Sequence, residues 1–172
     1  MRILRTRNFL AAAMLAGTAV VPVVAAAPAA MAGCPYDIYY STSGTSVRMP
    51  FRGIPTFKDG PGGTITVSRS YSGSATYRVE VGAESDVGAI LAQAKFSIKA
   101  SLEKTNSTGT THTYSHNIRA GRYGHVQYVS WGKRVTWTKY RVNANCTVTR
   151  LANGVIRFPS REEGWYYWET RS

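Results

Sequence analysis

The chain is poor in the residues on which most small catalytic and metal sites depend. It contains two cysteines, three histidines and nine aspartates and glutamates in 172 residues. Two cysteines exclude a miniprotein held by several disulfides and cannot supply a cysteine-rich zinc cluster. No Walker motif or dinucleotide-binding glycine motif occurs. What is present, 44% hydrophobic and 12% aromatic residues, is the composition of one folded domain.

The first 32 residues have the features of a secretory signal peptide. A positive segment with three arginines opens the chain, and an apolar stretch over 9–27 follows it. Ala30 and Ala32 place small residues at the two positions that a signal peptidase reads. Because prolines and alanines interrupt the apolar stretch, cleavage is favoured over a retained membrane anchor. The sequence therefore predicts a secreted, extracellular protein that begins at Gly33.

The two cysteines, Cys34 and Cys146, admit two interpretations. Met31 to Cys34 resembles a bacterial lipobox, in which Cys34 would carry a lipid. Met31 is a poor first residue for that motif, Pro35 is unusual after a modified cysteine, and Cys146 would remain a lone thiol outside the cytoplasm. A Cys34–Cys146 disulfide accounts for both residues and suits an oxidising exterior. The disulfide is therefore favoured over lipidation.

Basic residues outnumber acidic ones. Lys and Arg total 21; without the three arginines of the signal peptide 18 remain against nine acidic residues, a net charge of +9. A cationic secreted protein is attracted to anionic membrane or cell-wall surfaces. Other copies of the chain or a secreted protein are further candidate partners, and nucleic acid is the least favoured one. The charge by itself also fits a role in solubility alone.

The hydropathy pattern has a period of two, which is typical of half-buried strands. Apolar residues alternate with mainly Ser/Thr residues over 64–82, with a bulge or bend near Gly73, and with lysine, serine and glutamate over 94–104. Residues 84–92 are interpreted as a short helix or loop, although helical spacing leaves one longer helix over 84–104 open. The sequence predicts an all-β fold, an elongated antiparallel sheet or sandwich with long Ser/Thr-rich strands.

Prolines and glycines define the predicted organisation of the chain. Residues 33–63 contain four prolines and six glycines, which predicts a mainly irregular N-terminal arm before a single all-β domain over 64–172. Within this arm, the short runs Asp37–Tyr40 and Ser46–Met49 could pair as strands. Asp59 to Gly63 is a turn sequence. Gly132 is interpreted as a corner between two strands, and Asn153-Gly154 predicts a two-residue hairpin.

Histidines and carboxylates give little support to catalysis. His112 and His116 lie four residues apart on a predicted strand, a separation of about 13 Å that is too long for one metal ion. A cross-strand pair with His125 stays open, and an enzyme would need a cleft that gathers a histidine with a carboxylate. No Gly-x-Ser-x-Gly elbow surrounds any serine. We therefore expect a protein that is not an enzyme and holds neither a metal nor a cofactor.

Aromatic and basic residues interleave in the C-terminal half of the chain. The predicted binding surface consists of Trp131, Arg134, Trp137, Lys139, Trp165, Tyr166, Tyr167 and Trp168. Core packing is the favoured interpretation of Trp131 and Trp137. Alternation over 165–168 places rings on both faces of a strand, so one pair is expected to pack inward and the other to face solvent, a subunit or a ligand.

Two alternating strands, 64–82 and 94–104, flank a glycine-bounded piece at 82–88, and a further strand leads to Gly121–Val126. This order resembles the membrane-insertion region of the aerolysin and epsilon-toxin type of β-pore-forming proteins. The resemblance implies an amphipathic hairpin over 74–104 that inserts after oligomerisation. Its lipid-facing residues would be Ala75, Tyr77, Val79, Val81, Phe96, Ile98, Ala100 and Leu102. The whole chain also resembles small secreted proteins of filamentous actinobacteria.

Two functions follow as expectations. The resemblance implies a toxin-like pore-former that acts on the membranes of target cells. The alternative is a binding or adaptor module that recognises a cell-wall glycan or a protein partner through its aromatic C-terminus and exposed edges.

Overall fold

A computed structural model describes residues 33–171, except residues 71, 83 and 110. The predicted signal peptide over 1–32 lies outside these described residues, so secretion stays a prediction. The described elements are β1 (Asp37–Pro50), β2 (Phe57–Asp59), β3 (Gly63–Ser70), β4 (Gly73–Thr76), β5 (Arg78–Val81), α1 (Val87–Ile98), β6 (Thr105–Thr108), β7 (Thr111–Ile118), β8 (Arg122–Val142), β9 (Val148–Phe158) and β10 (Glu163–Arg171). A short 3-10 helix, Glu84–Asp86, precedes α1. The all-β, antiparallel prediction is confirmed.

The central sheet is organised around one long strand, β8. β1 and β2 pair with one edge of β8, β9 and β10 pair with the other edge, and β5 adds to the far edge of β9. At the middle of β8, Ser130 lies between Met49 of β1 and Glu163 of β10. Pairing on both edges satisfies the backbone polar groups of β8, which allows 21 residues to continue as one strand.

The covered face of this sheet changes sides along β8. Even-numbered residues are buried near its start, as at Val126 and Tyr128, whereas odd-numbered residues are buried near its end, as at Val135 and Trp137. The ladders of β8 with β1 and β10 run through this region without a bulge, so the side chains keep alternating between the same two faces. We call these the odd face and the even face of the sheet, after the residue numbers on β8. The two ends of the sheet are thus covered on opposite faces.

Helix α1 covers the odd face at the end of β8. Its buried residues recur at helical spacing, at Val87, Ile90, Leu91 and Ala94. They pack with Leu102, Val135, Trp137, Ile156 and Phe158. Gly44 of β1 lies directly beneath Ile98, where a Cβ atom would collide with the isoleucine side chain. Close to this contact, the hydroxyl oxygens of Thr42 and Ser97 are 2.6 Å apart and join the helix to β1.

A two-stranded ribbon covers the even face at the start of β8. It consists of β3 paired with β7 and, further along, β4 paired with β6, which form small sheets separate from the central one. The apolar side chains of the ribbon pack inward: Ile65, Val67 and Ile118 against Val126, and Ala75 against Met49, Phe51, Ile54 and Tyr128. Its Ser/Thr face is exposed, with Thr66 hydrogen-bonded to Ser115 across the ribbon. β3 ends at Ser70 and β4 begins at Gly73, the residue near which the sequence predicts a bulge or bend.

The predicted strand over 94–104 is wrong. Residues 87–98 are helical, and Leu102 makes only an isolated bridge to Ser160. Alanine, leucine, glutamine and lysine favour a helix here, and the apolar side of α1 packs against the central sheet. The helix ends at Lys99, which adopts a left-handed conformation with φ 54°.

The eight residues of the predicted lipid-facing hairpin therefore do not form a hairpin. Ala75 lies on β4, Val79 and Val81 on β5, Phe96 and Ile98 on α1, and Tyr77, Ala100 and Leu102 in connecting segments. Ala75 and Leu102 are buried in two different clusters. Phe96, in contrast, is 80% exposed.

The N-terminal arm is more regular than predicted, because its two possible strand runs belong to one strand, β1, which occupies Asp37–Pro50 and pairs with β8 over its whole length. β1 is an edge strand in which Met49 alone is buried, so its sequence shows almost no period. The turn at 59–63 is present, with the Gly60 N–H bonded to the Asp59 carboxylate at 2.8 Å.

Two glycine-based predictions fail for one reason. Gly132 is not a corner and Asn153-Gly154 is not a hairpin, since β8 and β9 run straight through them. A Cβ atom at Gly132 would collide with the Phe158 carbonyl, and one at Gly154 with the Val81 carbonyl and the Trp137 ring. These glycines permit close approach of backbones rather than a turn.

Cys34 and Cys146 form a disulfide with their Cα atoms 5.1 Å apart, which confirms the predicted pairing. The bond ties the segment before β1 to the turn between β8 and β9, beside the last pair of the β1–β8 ladder, Asp37 with Val142. A disulfide-bonded Cys34 has no free sulfur to acylate. The disulfide is compatible with an extracellular protein.

Candidate functional site

The predicted aromatic and basic surface is divided by the sheet. Trp131, Trp137 and Lys139 all point to the odd face, but α1 covers Trp137, which is 1% exposed. Lys139 donates a hydrogen bond to Asp86 at 3.0 Å, and this bond raises the pKa of the lysine. Arg134 lies on the even face and pairs with Glu80 at 2.7 Å. Of the predicted binding residues on β8, Trp131 is therefore the one that lies on an uncovered part of the odd face.

The four aromatic residues of β10 alternate between the two faces. Trp165 and Tyr167 point to the even face and pack into the clusters beneath the ribbon. Burial, and then a hydrogen bond from its hydroxyl to Glu169, raise the pKa of Tyr167 to about 12. Tyr166 and Trp168 point to the odd face, because they pair with Gln127 and His125.

Tyr166 and Trp168 belong to a column of stacked groups. The Tyr166 and Trp168 rings stack at 5.3 Å, the Trp168 and His125 rings at 5.1 Å, and the Arg48 guanidinium lies 3.9 Å from the centre of the Tyr166 ring. We call Arg48, Tyr166, Trp168 and His125 the aromatic column. Stacked rings cover one another's faces, so the column presents ring edges rather than faces to a ligand. It is a poor platform for stacking a sugar or a base.

An open cleft lies beside this column, between the end of α1 and the sheet. It has a volume of about 860 Å³, and the residues that give it chemical character are Arg48, Lys99, Trp131, Lys133 and Glu162. We call it the Trp131 cleft. Trp131 is 37% exposed and meets Tyr166 edge to face at 6.3 Å. The cleft thus combines one accessible indole ring with three cations and one carboxylate.

The cations of the Trp131 cleft are available to a ligand. Lys133 donates to the Ser46 hydroxyl at 2.9 Å. Among the described residues, no carboxylate lies within ion-pair distance of Arg48, Lys99 or Lys133. Stacking on Tyr166 orders Arg48 without neutralising it. The cleft can accept an anionic group next to a flat apolar surface.

Sequence reasoning found Trp131 but missed Arg48, Lys99, Lys133 and Glu162 as members of one site. These residues lie on β1, after α1, on β8 and before β10, and only the crossing of α1 over the sheet brings them together. Lys133 and Arg134 are neighbours in sequence but point to opposite faces. No local signal distinguishes them.

The two histidines whose side chains the structure describes, His116 and His125, do not come together. His125 stacks in the aromatic column and contacts Thr170 at 2.9 Å, whereas His116 lines a separate cleft of about 370 Å³ with Arg119, Tyr167 and Glu169. The side chain of His112 lies outside the described part of the structure. Glu169 is held by Arg119 at 3.2 Å, and hydrogen bonds from the Tyr167 hydroxyl and the Arg119 backbone lower its pKa. A carboxylate held ionised in this way suits an ion pair better than proton transfer.

The described residues contain no cluster of three or more metal-ligating side chains. In the same part of the chain, no helix has the length and hydrophobicity required to cross a bilayer. The chain matches no known family model, and no curated protein is significantly similar to it.

Proposed function

We propose that the protein is a secreted binding module that recognises an anionic cell-wall glycan through the Trp131 cleft. The observation that carries this proposal is the cleft itself, where Arg48, Lys99 and Lys133 surround the exposed Trp131 ring. An indole ring offers a flat apolar surface for the apolar face of a sugar ring, and the cations offer partners for its acid groups. The net charge of +9 adds attraction at longer range.

The test is sedimentation of the disulfide-intact protein with isolated bacterial cell walls. Trp131→Ala is expected to weaken binding at least tenfold, a loss of about 1.4 kcal/mol. Trp168→Ala is the matched control, because it removes the same side chain from the aromatic column. An equal loss in both variants would show that binding is not specific to the cleft and would contradict the proposal.

A second pair of variants separates a site from general charge attraction. Lys133→Gln changes the cleft, whereas Lys58→Gln removes the same charge from β2, where Lys58 lies over the Tyr123 ring. Only the cleft variant should lose binding. If both lose binding equally, attraction by net charge accounts for the result and the proposal fails.

A second candidate function, pore formation, is favoured by one observation. The ribbon strands β3, β4, β6 and β7 form sheets separate from the central one. Among the described residues of the segment over 63–118, β5 is the one strand that pairs with the central sheet, and α1 packs on that sheet through side chains. Release of this segment would leave the pairing of β8 with β1, β2, β9 and β10 in place. β3 also alternates apolar and Ser/Thr residues over much of its length, as an inserted strand must, whereas β6 contains no apolar residue. Insertion of 74–104, however, would require α1 to unfold into a strand.

Dye leakage from phosphatidylglycerol vesicles tests this candidate. Thr42 and Ser97 touch, so a Thr42→Cys/Ser97→Cys disulfide would clamp α1 onto β1. Leakage that the clamp abolishes and a reductant restores would support insertion; wild-type protein with the same reductant controls for opening of the native disulfide. Absence of leakage from wild-type protein across pH and lipid composition would count against it.

A further inference from the structure

A row of three arginines crosses the even face of the sheet, opposite the face that carries the Trp131 cleft. Arg78 of β5 pairs directly with Arg157 of β9, and Arg157 pairs directly with Arg134 of β8. Directly paired residues in an antiparallel sheet point to the same face. We call Arg78, Arg157 and Arg134 the arginine row. Since neighbouring strands lie about 4.8 Å apart, the row spans about 10 Å at its base.

Glu80 holds two members of this row in position. Its carboxylate pairs with the Nε atom of Arg134 at 2.7 Å and with that of Arg157 at 2.5 Å. Burial alone raises the pKa of Glu80, but the hydrogen bond from Arg134 and the charges of both guanidinium groups outweigh this effect and lower it. The contacts use the Nε sides of the guanidinium groups. Among the described residues, no acceptor is hydrogen-bonded to the terminal nitrogens of either arginine.

The row is short of negative charge. Three arginines face one carboxylate, and like charges placed directly opposite on neighbouring strands destabilise a sheet. A cleft of about 570 Å³ continues from the row, and its charged lining residues are Arg48, Arg52, Arg78, Arg157 and Glu84. Glu84 accepts a hydrogen bond from Tyr77 at 2.9 Å. The excess of arginine therefore extends beyond the row itself.

We propose that the arginine row binds a linear polymer of phosphodiester groups, such as a poly(glycerol phosphate) chain of a cell wall. Guanidinium groups bind phosphate oxygens through paired, planar donors, and the row contains arginine alone and no lysine. Its straight course across three strands fits successive charges of a chain, because one small anion reaches two neighbouring guanidinium groups at most. Arg48 lines both the Trp131 cleft and the cleft beside the row, but the three arginines of the row do not line the Trp131 cleft. The proposal does not depend on the function proposed for the Trp131 cleft.

Titration calorimetry with poly(glycerol phosphate) tests the proposal on the disulfide-intact protein. Arg157→Gln should weaken binding at least tenfold. Arg150→Gln removes the same charge from an exposed position of β9 on the same face, opposite Tyr140, and should change binding less than twofold. Arg157→Lys keeps the charge and a cation beside Glu80 but loses the planar fork, and should weaken binding at least threefold. Thermal unfolding of each variant checks that it folds, and the polymer should raise the unfolding temperature of wild-type protein but not of Arg157→Gln.

Three results would overturn the proposal. Equal affinities of Arg157→Gln and Arg150→Gln would show general charge attraction. Binding of polygalacturonate as tight as that of poly(glycerol phosphate) would show that phosphodiester groups are not selected. Binding to phosphatidylglycerol vesicles without binding to the free polymer would assign the row to a membrane. Trp131→Ala should leave polymer binding unchanged, so failure here is distinguishable from failure of the Trp131 cleft.

Discussion

Trp131 and Trp137 lie six residues apart on one strand and one face, yet the structure predicts opposite consequences for their removal. Trp137 is 1% exposed beneath α1, so Trp137→Ala should cost about 3–5 kcal/mol of unfolding free energy. Trp131 is 37% exposed and makes one edge-to-face contact with Tyr166, so Trp131→Ala should cost about 1 kcal/mol or less. Glycan binding should follow the reverse order, since of these two tryptophans Trp131 lines the cleft and Trp137 does not.

Urea unfolding followed by far-ultraviolet circular dichroism measures both free energies. Trp137→Phe adds an internal comparison, because the Trp137 Nε1 atom is buried without an acceptor among the described residues. The phenylalanine keeps most of the apolar volume and removes this unsatisfied donor, so its cost should lie well below that of alanine. A Trp131→Ala cost equal to or above that of Trp137→Ala would refute the assignment of the covered face along β8.

Three further predictions concern stability. Replacing Cys34 and Cys146 by serine opens a loop of 112 residues, and urea unfolding should show a loss of about 4–5 kcal/mol of unfolding free energy. A loss under about 1 kcal/mol would contradict the chain-entropy argument. Gly154→Ala should lower the unfolding free energy by about 2 kcal/mol because the new Cβ atom would collide with backbone. Gly109→Ala has open space around it, so its unfolding free energy should change little. Equal effects of the two substitutions would contradict the packing argument. The pKa of Tyr167 is raised to about 12, so its neutral form stabilises the fold below pH 10 and this contribution is lost as the pH rises from 10 toward 12. Tyr167→Phe should therefore lose less unfolding free energy over that interval than the wild-type protein. An identical pH dependence in the two proteins would contradict this prediction.

Much of the fold could be predicted because the alternation of apolar and polar residues along a strand indicates which of its side chains are buried. The alternation over 64–82 identified the strands that pack on the even face, and Ile65, Val67 and Ala75 are buried as their period indicates. Alternation over 165–168 divided the aromatic residues of β10 between two faces. The prediction failed where burial was scarce, as in β1, because an exposed edge strand has no period to report.

The candidate sites could not be assembled from sequence in the same way. Arg48, Lys99 and Lys133 meet only because α1 crosses the odd face above β1 and β8, and Arg78, Arg157 and Arg134 align only through the registers of three strands. Registers depend on pairings between residues far apart in the chain, which a hydropathy period does not contain. The predicted hairpin of the pore-former resemblance failed for a related reason. Residues 94–104 fit both the two-residue period of a strand and the spacing of a helix, and hydropathy alone does not decide between them.

The amino-acid sequence by itself determined the all-β class, the excess of positive charge and the pairing of Cys34 with Cys146. These properties depend on composition, on strand-scale alternation and on having only two cysteines to pair. Tertiary structure alone decided between helix and strand over 94–98 and made the covered face change sides along β8. The reason is physical: an amphipathic segment specifies that one side will be buried, but the surface that covers it belongs to distant parts of the chain.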